Sequence, residues 1–177
     1  HLHLPVQSGC AKVLQAMGRP YAPEYYRDLM LSLKRRFPDL GLGADVMVGF
    51  PGEDEADFED SRRFISDLPL TYLHVFAYSR RPGTPAALAA GQVPAEVKRR
   101  RAKALKVLSE QKRRAFEASQ QGERHDILVT AVKGGVCHGI SGNYLAARIA
   151  RPGVRGEILR VCIDGVQAAP AWGCIHG

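Results

Sequence analysis

The sequence predicts an α/β fold: the C-terminal part of a parallel (β/α) partial barrel, followed by a small all-β barrel. Three observations predict it. Residues 1–93 alternate short apolar runs with amphipathic helical patterns, residues 94–121 form one long helical pattern crowded with cations, and from Gly122 the apolar pattern switches to alternation. The domains read as 1–93, a basic linking helix over 94–121, a β-module over 122–167 and a tail over 168–177.

The chain opens on His1-Leu2-His3-Leu4-Pro5-Val6, an alternating strand already under way, so a piece of a longer protein is expected. After the loop Gln7-Ser8-Gly9, a short helix runs through Val13, Leu14 and Met17 to the breaker Gly18-Arg19-Pro20. A second helix begins at Pro23-Glu24, carries Tyr26, Leu29, Met30, Leu33 and Phe37 as one stripe, and stops at Pro38. Gly43–Phe50 reads as a strand and Pro51-Gly52-Glu53 as a turn. Glu55–Leu68 is a helix with acids in its first turn and Phe58, Ile65 and Leu68 inward. Leu70–Tyr78 is a third strand, closed by Ser79-Arg80-Arg81-Pro82-Gly83. Strands alternating with such helices imply parallel crossovers. Three strands cannot close a barrel, so earlier ones are expected before His1.

Ala87–Pro94 reads as a connector, and Ala95–Gln120 as a helix with Pro94 at its start. Val97, Ala104, Leu105, Leu108 and Phe116 make its inner face, and Lys98, Arg99, Arg100, Arg101, Lys103, Lys106, Lys112, Arg113 and Arg114 cover the rest. Asp126–Val132, Tyr144–Ile149 and Gly156–Ile163 then read as strands between turns at Gly134-Gly135, Ser141-Gly142-Asn143 and Arg151-Pro152-Gly153. This module is similar to the oligonucleotide-binding class of small barrels.

With 45% apolar and 24% charged residues in 177, the composition is globular and excludes disorder and collagen. No run approaches the roughly 18 apolar residues of a membrane helix, and no export signal opens the chain; a cytoplasmic protein without a membrane partner is expected. Cys10, Cys137, Cys162 and Cys174 stand 127, 25 and 12 positions apart, which fits no zinc motif and reads as scattered reduced thiols.

The charge points to a partner. Basic and acidic residues number 10 and 11 over 1–93, 9 and 3 over 94–121, and 6 and 4 over 122–177, so +6 of the net +7 lies on the linking helix. Solvation would account for a cationic face, but nine cations to three anions also suit a phosphate backbone. Tyr144 beside Asn143, with Arg148 further along, reads either as a base-stacking face or as core.

The strand exits point to a ligand. Val48-Gly49-Phe50-Pro51-Gly52-Glu53, Gln7-Ser8-Gly9 and Tyr78–Gly83 all follow strands and fall on one rim, where parallel sheets bind ligands; a tight turn is the plainer reading of the first. Asp45 inside its strand is either a carboxylate with a local basic partner or a polar group lining a barrel. His1 and His3 share a face, but metal ligation needs a third ligand that the sequence does not supply, and no metal site is assigned.

His3-Leu4-Pro5-Val6-Gln7-Ser8-Gly9, Met17-Gly18-Arg19, Val48–Glu53 with Asp57-Phe58, and Tyr78–Ala86 together resemble the C-terminal half of the radical S-adenosylmethionine methylthiotransferases. Residues 122–165 resemble the TRAM domain, an RNA-binding β-barrel that follows the radical-SAM barrel in that family. Leu73–Ser79 and Gly142-Asn143-Tyr144-Leu145 are most similar to the branch that modifies threonylcarbamoyladenosine beside the tRNA anticodon. Related branches act on isopentenyladenosine or on a ribosomal-protein aspartate.

The resemblance implies reductive cleavage of S-adenosylmethionine at a 4Fe-4S cluster, giving a radical that abstracts the adenine C2 hydrogen. A second 4Fe-4S cluster, in an N-terminal domain, delivers sulfur. It further implies S-adenosylmethionine at Gln7, Ser8, Gly9, Asp45, Gly49, Phe50, Pro51 and Gly52. A tRNA anticodon stem-loop would lie on Lys98, Arg99, Arg100, Lys103, Arg113, Arg114, Tyr144 and Arg148. The CxxxCxxC motif and the N-terminal domain are absent here, so the cluster ligands are expected outside this chain, which alone would be inactive and hold no catalytic residue. The rival reading is a non-catalytic RNA-binding fragment or adaptor; a third is another radical enzyme with a TRAM-like tail.

Overall fold

The computed structural model describes residues 1–165 and, as backbone, 171–174. The chain divides into two compact units, Leu2–Lys112 and residues from Arg113 onward with His1.

In the first unit, β1 (Leu2–His3), β2 (Leu42–Val48) and β3 (Tyr72–Ala77) form a parallel sheet in that order. Leu2 and His3 pair with Leu42 and Gly43, and Asp45 lies opposite His74. Strand alternation divides the faces. Leu42, Ala44, Val46, Val48 and Leu73 enter the core, while Gly43, Asp45 and Met47 alternate with them on β2.

The helices cover the apolar face. Between α1 (Ala11–Ala16) and β2, α2 (Pro23–Arg36) starts with proline at its first turn, ends on Lys34-Arg35-Arg36 and buries Tyr26 and Met30. Phe37, expected on its inner stripe, leaves the helix at φ −134° and is half exposed, because Pro38 disfavours helical backbone in the residue before it. In α3 (Glu55–Asp67), Asp54 and Asp57 form a reciprocal capping box and Phe58, Phe64 and Ile65 are buried. The expected connector contains a one-turn helix, α4 (Pro85–Leu88). The long helix α5 (Ala95–Ser119) puts Leu105 fully into the same core, with Ala104 and Leu108 beside it.

The second unit is a closed barrel in the order β4-β5-β6-β8-β7. Its strands are β4 (Arg124–Lys133), β5 (Val136–Ser141), β6 (Ala146–Ile149), β7 (Ile158–Gly165) and β8 (Ala171–Cys174). Ile127, Val129, Cys137, Leu145, Ala147, Ile149, Leu159, Val161 and Ile163 fill it, and Phe116 packs against them.

Three expectations are corrected here. Val136–Ser141, left between two turns, is a strand; Gly139 lets it approach β4, since a Cβ there would strike the Ile127 side chain and the Leu128 carbonyl. Tyr144 does not begin β6. It sits in the turn before it at φ +73°, held by its N–H donating to the Ser141 carbonyl at 3.0 Å. Residues 171–174 of the expected tail form β8, pairing parallel with β6 and antiparallel with β7, which removes two open sheet edges. The other tail positions, 168–170 and 175–177, lie outside the described residues.

Candidate functional site

Two of the three strand exits converge through backbone geometry. Gln7 takes φ +65°, a left-handed conformation that costs a non-glycine residue about 1–3 kcal/mol. Two β2 contacts hold it there: its N–H donates to the Asp45 carbonyl at 2.9 Å, and its carbonyl accepts from Met47 N–H at 2.8 Å. Ser8 is buried, and its hydroxyl accepts from Cys10 N–H at 3.1 Å. Gly9 N–H donates to Ser61 Oγ at 2.8 Å, and a Cβ on Gly9 would meet the Phe64 ring at 2.7 Å. Ser8 and Gly9 thus lock the loop onto α3.

The loop after β2 is built in the same way. Gly49 sits at φ +73° with its N–H donated to Glu53 Oε1 at 2.9 Å, and a side chain there would collide with the Lys98 stem. Phe50 lies edge-on to Tyr78 at 5.4 Å, Pro51 is buried, and Gly52, at φ +84°, donates to the Gly91 carbonyl at 2.9 Å. The Tyr78 hydroxyl is buried with no hydrogen-bond partner among the described residues.

Glu53 anchors this loop. It pairs with Arg101 Nη1 at 2.7 Å, the two side chains being 3% and 4% exposed, and Arg101 Nη2 reaches Glu55 at 2.9 Å. Burial pushes the Glu53 carboxyl above its ordinary value, against the downward pull of Gly49 N–H and Arg101.

The opposite face of the sheet carries a polar cluster. His3 Nε2 lies 2.9 Å and His74 Nδ1 3.4 Å from Asp45 Oδ1, and Tyr72 Oη is 3.1 Å from His3 Nδ1. Asp45 therefore has imidazole neighbours from both adjacent strands. His74 was missed by the sequence reasoning; the alternation of Tyr72, His74 and Phe76 with Leu73 and Val75 is the signal that places it on this face.

The comparisons with known proteins match this chain over about three quarters of its length. The tRNA-2-methylthio-N(6)-dimethylallyladenosine synthase of Ehrlichia canis is 39% identical over 133 residues, 75% of this chain and 30% of that protein. The threonylcarbamoyladenosine tRNA methylthiotransferase MtaB of Bacillus subtilis is 41% identical over 128 residues, 72% of this chain and 28% of that protein. Over that stretch the chain is a homologue of the tRNA methylthiotransferases. A further dimethylallyladenosine synthase, from Chromobacterium violaceum, is 44% identical over 132 residues, 75% of this chain and 30% of that protein. The chain spans about 30% of the length of the curated relatives it matches. No protein-family model matches it.

In this methylthiotransferase homologue the cations of α5 are less free than a solvated face requires. Arg101 is buried, Arg100 pairs with Glu55 at 2.9 Å, and Lys98 Nζ donates to the Tyr78 carbonyl at 2.9 Å. Lys112 Nζ donates to the Ser66 and Leu68 carbonyls, and desolvation pushes it down to about 8. Glu53 and Glu55, before and within α3, supply the partners of Arg100 and Arg101. Arg99, Lys103 and Arg114 are exposed, and Arg113 pairs with Glu117 one turn on. In the second unit Tyr144 is 55% exposed, which removes the core reading, and Arg148 is half-buried on β6.

Cys10 is the first unit's one cysteine. Its thiol donates to Asp57 Oδ1 at 3.4 Å, and burial pushes its pKa above the ordinary thiol value. Among the described residues no helix is long and apolar enough to cross a membrane.

Proposed function

We propose that this chain is the C-terminal radical-SAM and TRAM part of a tRNA methylthiotransferase that adds a methylthio group to C2 of a modified adenosine beside the anticodon. The observation that carries the reading is 39–44% identity, over 72–75% of this chain, to proteins named for that chemistry. The parallel sheet supports it through its strand exits: Gln7 is held in a strained conformation, and Gly49–Gly52 cross the end of β2 beside the unpartnered Tyr78 hydroxyl. S-adenosylmethionine is proposed to lie along that edge, beside Gln7, Ser8, Gly9 and the Gly49–Gly52 loop. Bound at a 4Fe-4S cluster whose ligands lie outside this chain, it would supply a radical for hydrogen abstraction. Exposed Arg99 and Lys103, and the half-exposed Tyr144 ring with one face stacked on His1 at 4.3 Å, are the surfaces offered to the tRNA.

The substrate is proposed to be threonylcarbamoyladenosine, on the Leu73–Ser79 and Gly142–Leu145 segments. Mass spectrometry of tRNA nucleosides tests both levels. The full-length gene of which this chain is proposed to be a part is expressed in a host lacking both methylthio modifications. The methylthio form of threonylcarbamoyladenosine is expected; the isopentenyl form would overturn the substrate, and neither form would overturn the activity.

A further inference from the structure

We propose that His3, Asp45 and His74 form a binding site for one divalent transition-metal ion, of the zinc or cobalt(II) class, on the face of the parallel sheet opposite the helix-packed core. The proposal rests on side-chain geometry alone and is independent of the methylthiotransferase reading.

Strand register brings the donors together. β1, β2 and β3 are neighbours, Asp45 lies opposite His74, and His3 lies opposite Gly43, two residues along β2 on the same face. Each residue offers one ligand atom, and these atoms all lie within 4.8 Å of one another. A tetrahedral ion bound at about 2.0–2.2 Å holds its donors roughly 3.3–3.6 Å apart. The two edges to Asp45 Oδ1, 2.9 and 3.4 Å, are already near that value. Closing the remaining His3–His74 edge needs only side-chain movement, and the two rings already stand 4.9 Å apart between centroids.

The surroundings suit a ligand set. Metal-bound imidazoles commonly donate their second ring N–H to an oxygen acceptor, which fixes the tautomer. Tyr72 Oη stands in that position, 3.1 Å from His3 Nδ1, and leaves Nε2 toward Asp45. Gly43 clears the space, because a Cβ there would collide with the Tyr72 hydroxyl and lie 2.8 Å from His3 Nδ1. The ion pairs that Asp45 makes among the described residues are with His3 and His74. Two nitrogens and a carboxylate oxygen, with a coordination position left open, match the donor preferences of zinc and its neighbours.

The test uses the purified chain, stripped with a chelator and titrated with cobalt(II) chloride alone, then zinc chloride alone. Expected are one ion per chain and weak visible cobalt bands without the near-ultraviolet thiolate charge-transfer band that cysteine ligation would give. His74→Ala and Asp45→Asn should each weaken binding by more than about 100-fold, and Tyr72→Phe by about 10–100-fold, the range of outer-shell changes. Circular dichroism checks each variant's fold. His74→Ala, at an exposed position, decides the question if His3→Ala does not fold. No cobalt binding by the folded chain, a thiolate band, or affinity in folded His74→Ala within about twofold of the parent would overturn the site.

Discussion

Arg101 and Glu53, 48 positions apart, form a buried ion pair in which Nη1 also donates to the Glu53 carbonyl at 3.1 Å. The pair joins α5 to the loop after β2, because Glu53 also accepts the Gly49 N–H. A residue of the basic helix thereby sets the shape of the proposed ligand edge.

Removing one member of such a pair leaves a buried charge. Arg101→Met is expected to destabilise the first unit by about 3–5 kcal/mol near neutral pH. Burial has raised the Glu53 carboxyl, so its ionisation costs stability as pH rises above 4.5, and more so without the guanidinium. Glu55, held low by its hydrogen bond from Arg101, stabilises the parent above the ordinary carboxylate range and loses that gain in the variant, so it too enlarges the deficit at higher pH. The deficit should therefore shrink in acid. Urea unfolding at several pH values checks this; a deficit independent of pH would count against the pair.

Lys112 provides a second pH signature. Its folded-state value, about 8, lies below the ordinary 10.5, so the folded chain binds fewer protons than the unfolded chain between the two. On this account stability rises with pH across that window, and below it Lys112 imposes its full cost. Carbon-13 NMR of the lysine ε-carbons should find one midpoint near 8 that disappears in Lys112→Met. All lysines titrating in the ordinary range would refute it.

Gly49 is constrained twice. Gly49→Ala should cost about 1–2 kcal/mol for its left-handed backbone, plus the collision with the Lys98 stem. In a Lys98→Ala background only the backbone part should remain. A double-mutant cycle should give a coupling above about 0.5 kcal/mol. Additive effects would remove the steric account.

For RNA, the exposed and the internally bonded cations should behave differently. Arg99→Glu with Lys103→Glu is expected to weaken binding of an anticodon stem-loop and to lower the salt slope by about 0.9 for each duplex phosphate no longer neutralised. Tyr144→Ala should cost about 1–3 kcal/mol at unchanged slope if a base stacks on it. Filter binding across a salt series separates the two, and wild-type affinity that ignores salt would exclude the phosphate track.

The elements written in local chemistry were legible without coordinates. Pro23 and Pro38 bracket α2, acids in the first turn mark the start of α3, and the change to alternation after Gly122 marks the barrel, because helix-end charges, proline and side-chain period act over a few residues. The strand exits at Gln7–Gly9 and Gly49–Gly52 were legible for the same reason. β5 and β8 were not. Val136–Ser141 contains a glycine that only the neighbouring strand requires, and Ala171–Cys174 becomes a strand because β6 and β7 have edges to pair. Tertiary structure alone also decided the polar chemistry. Arg101 reads as one cation among nine, and only packing against Glu53 buries it. His3, Asp45 and His74 sit 42 and 29 positions apart, and parallel register is what converges them. Local interactions choose helix or strand, but the company a charged side chain keeps depends on segments distant in sequence, and no local pattern encodes it.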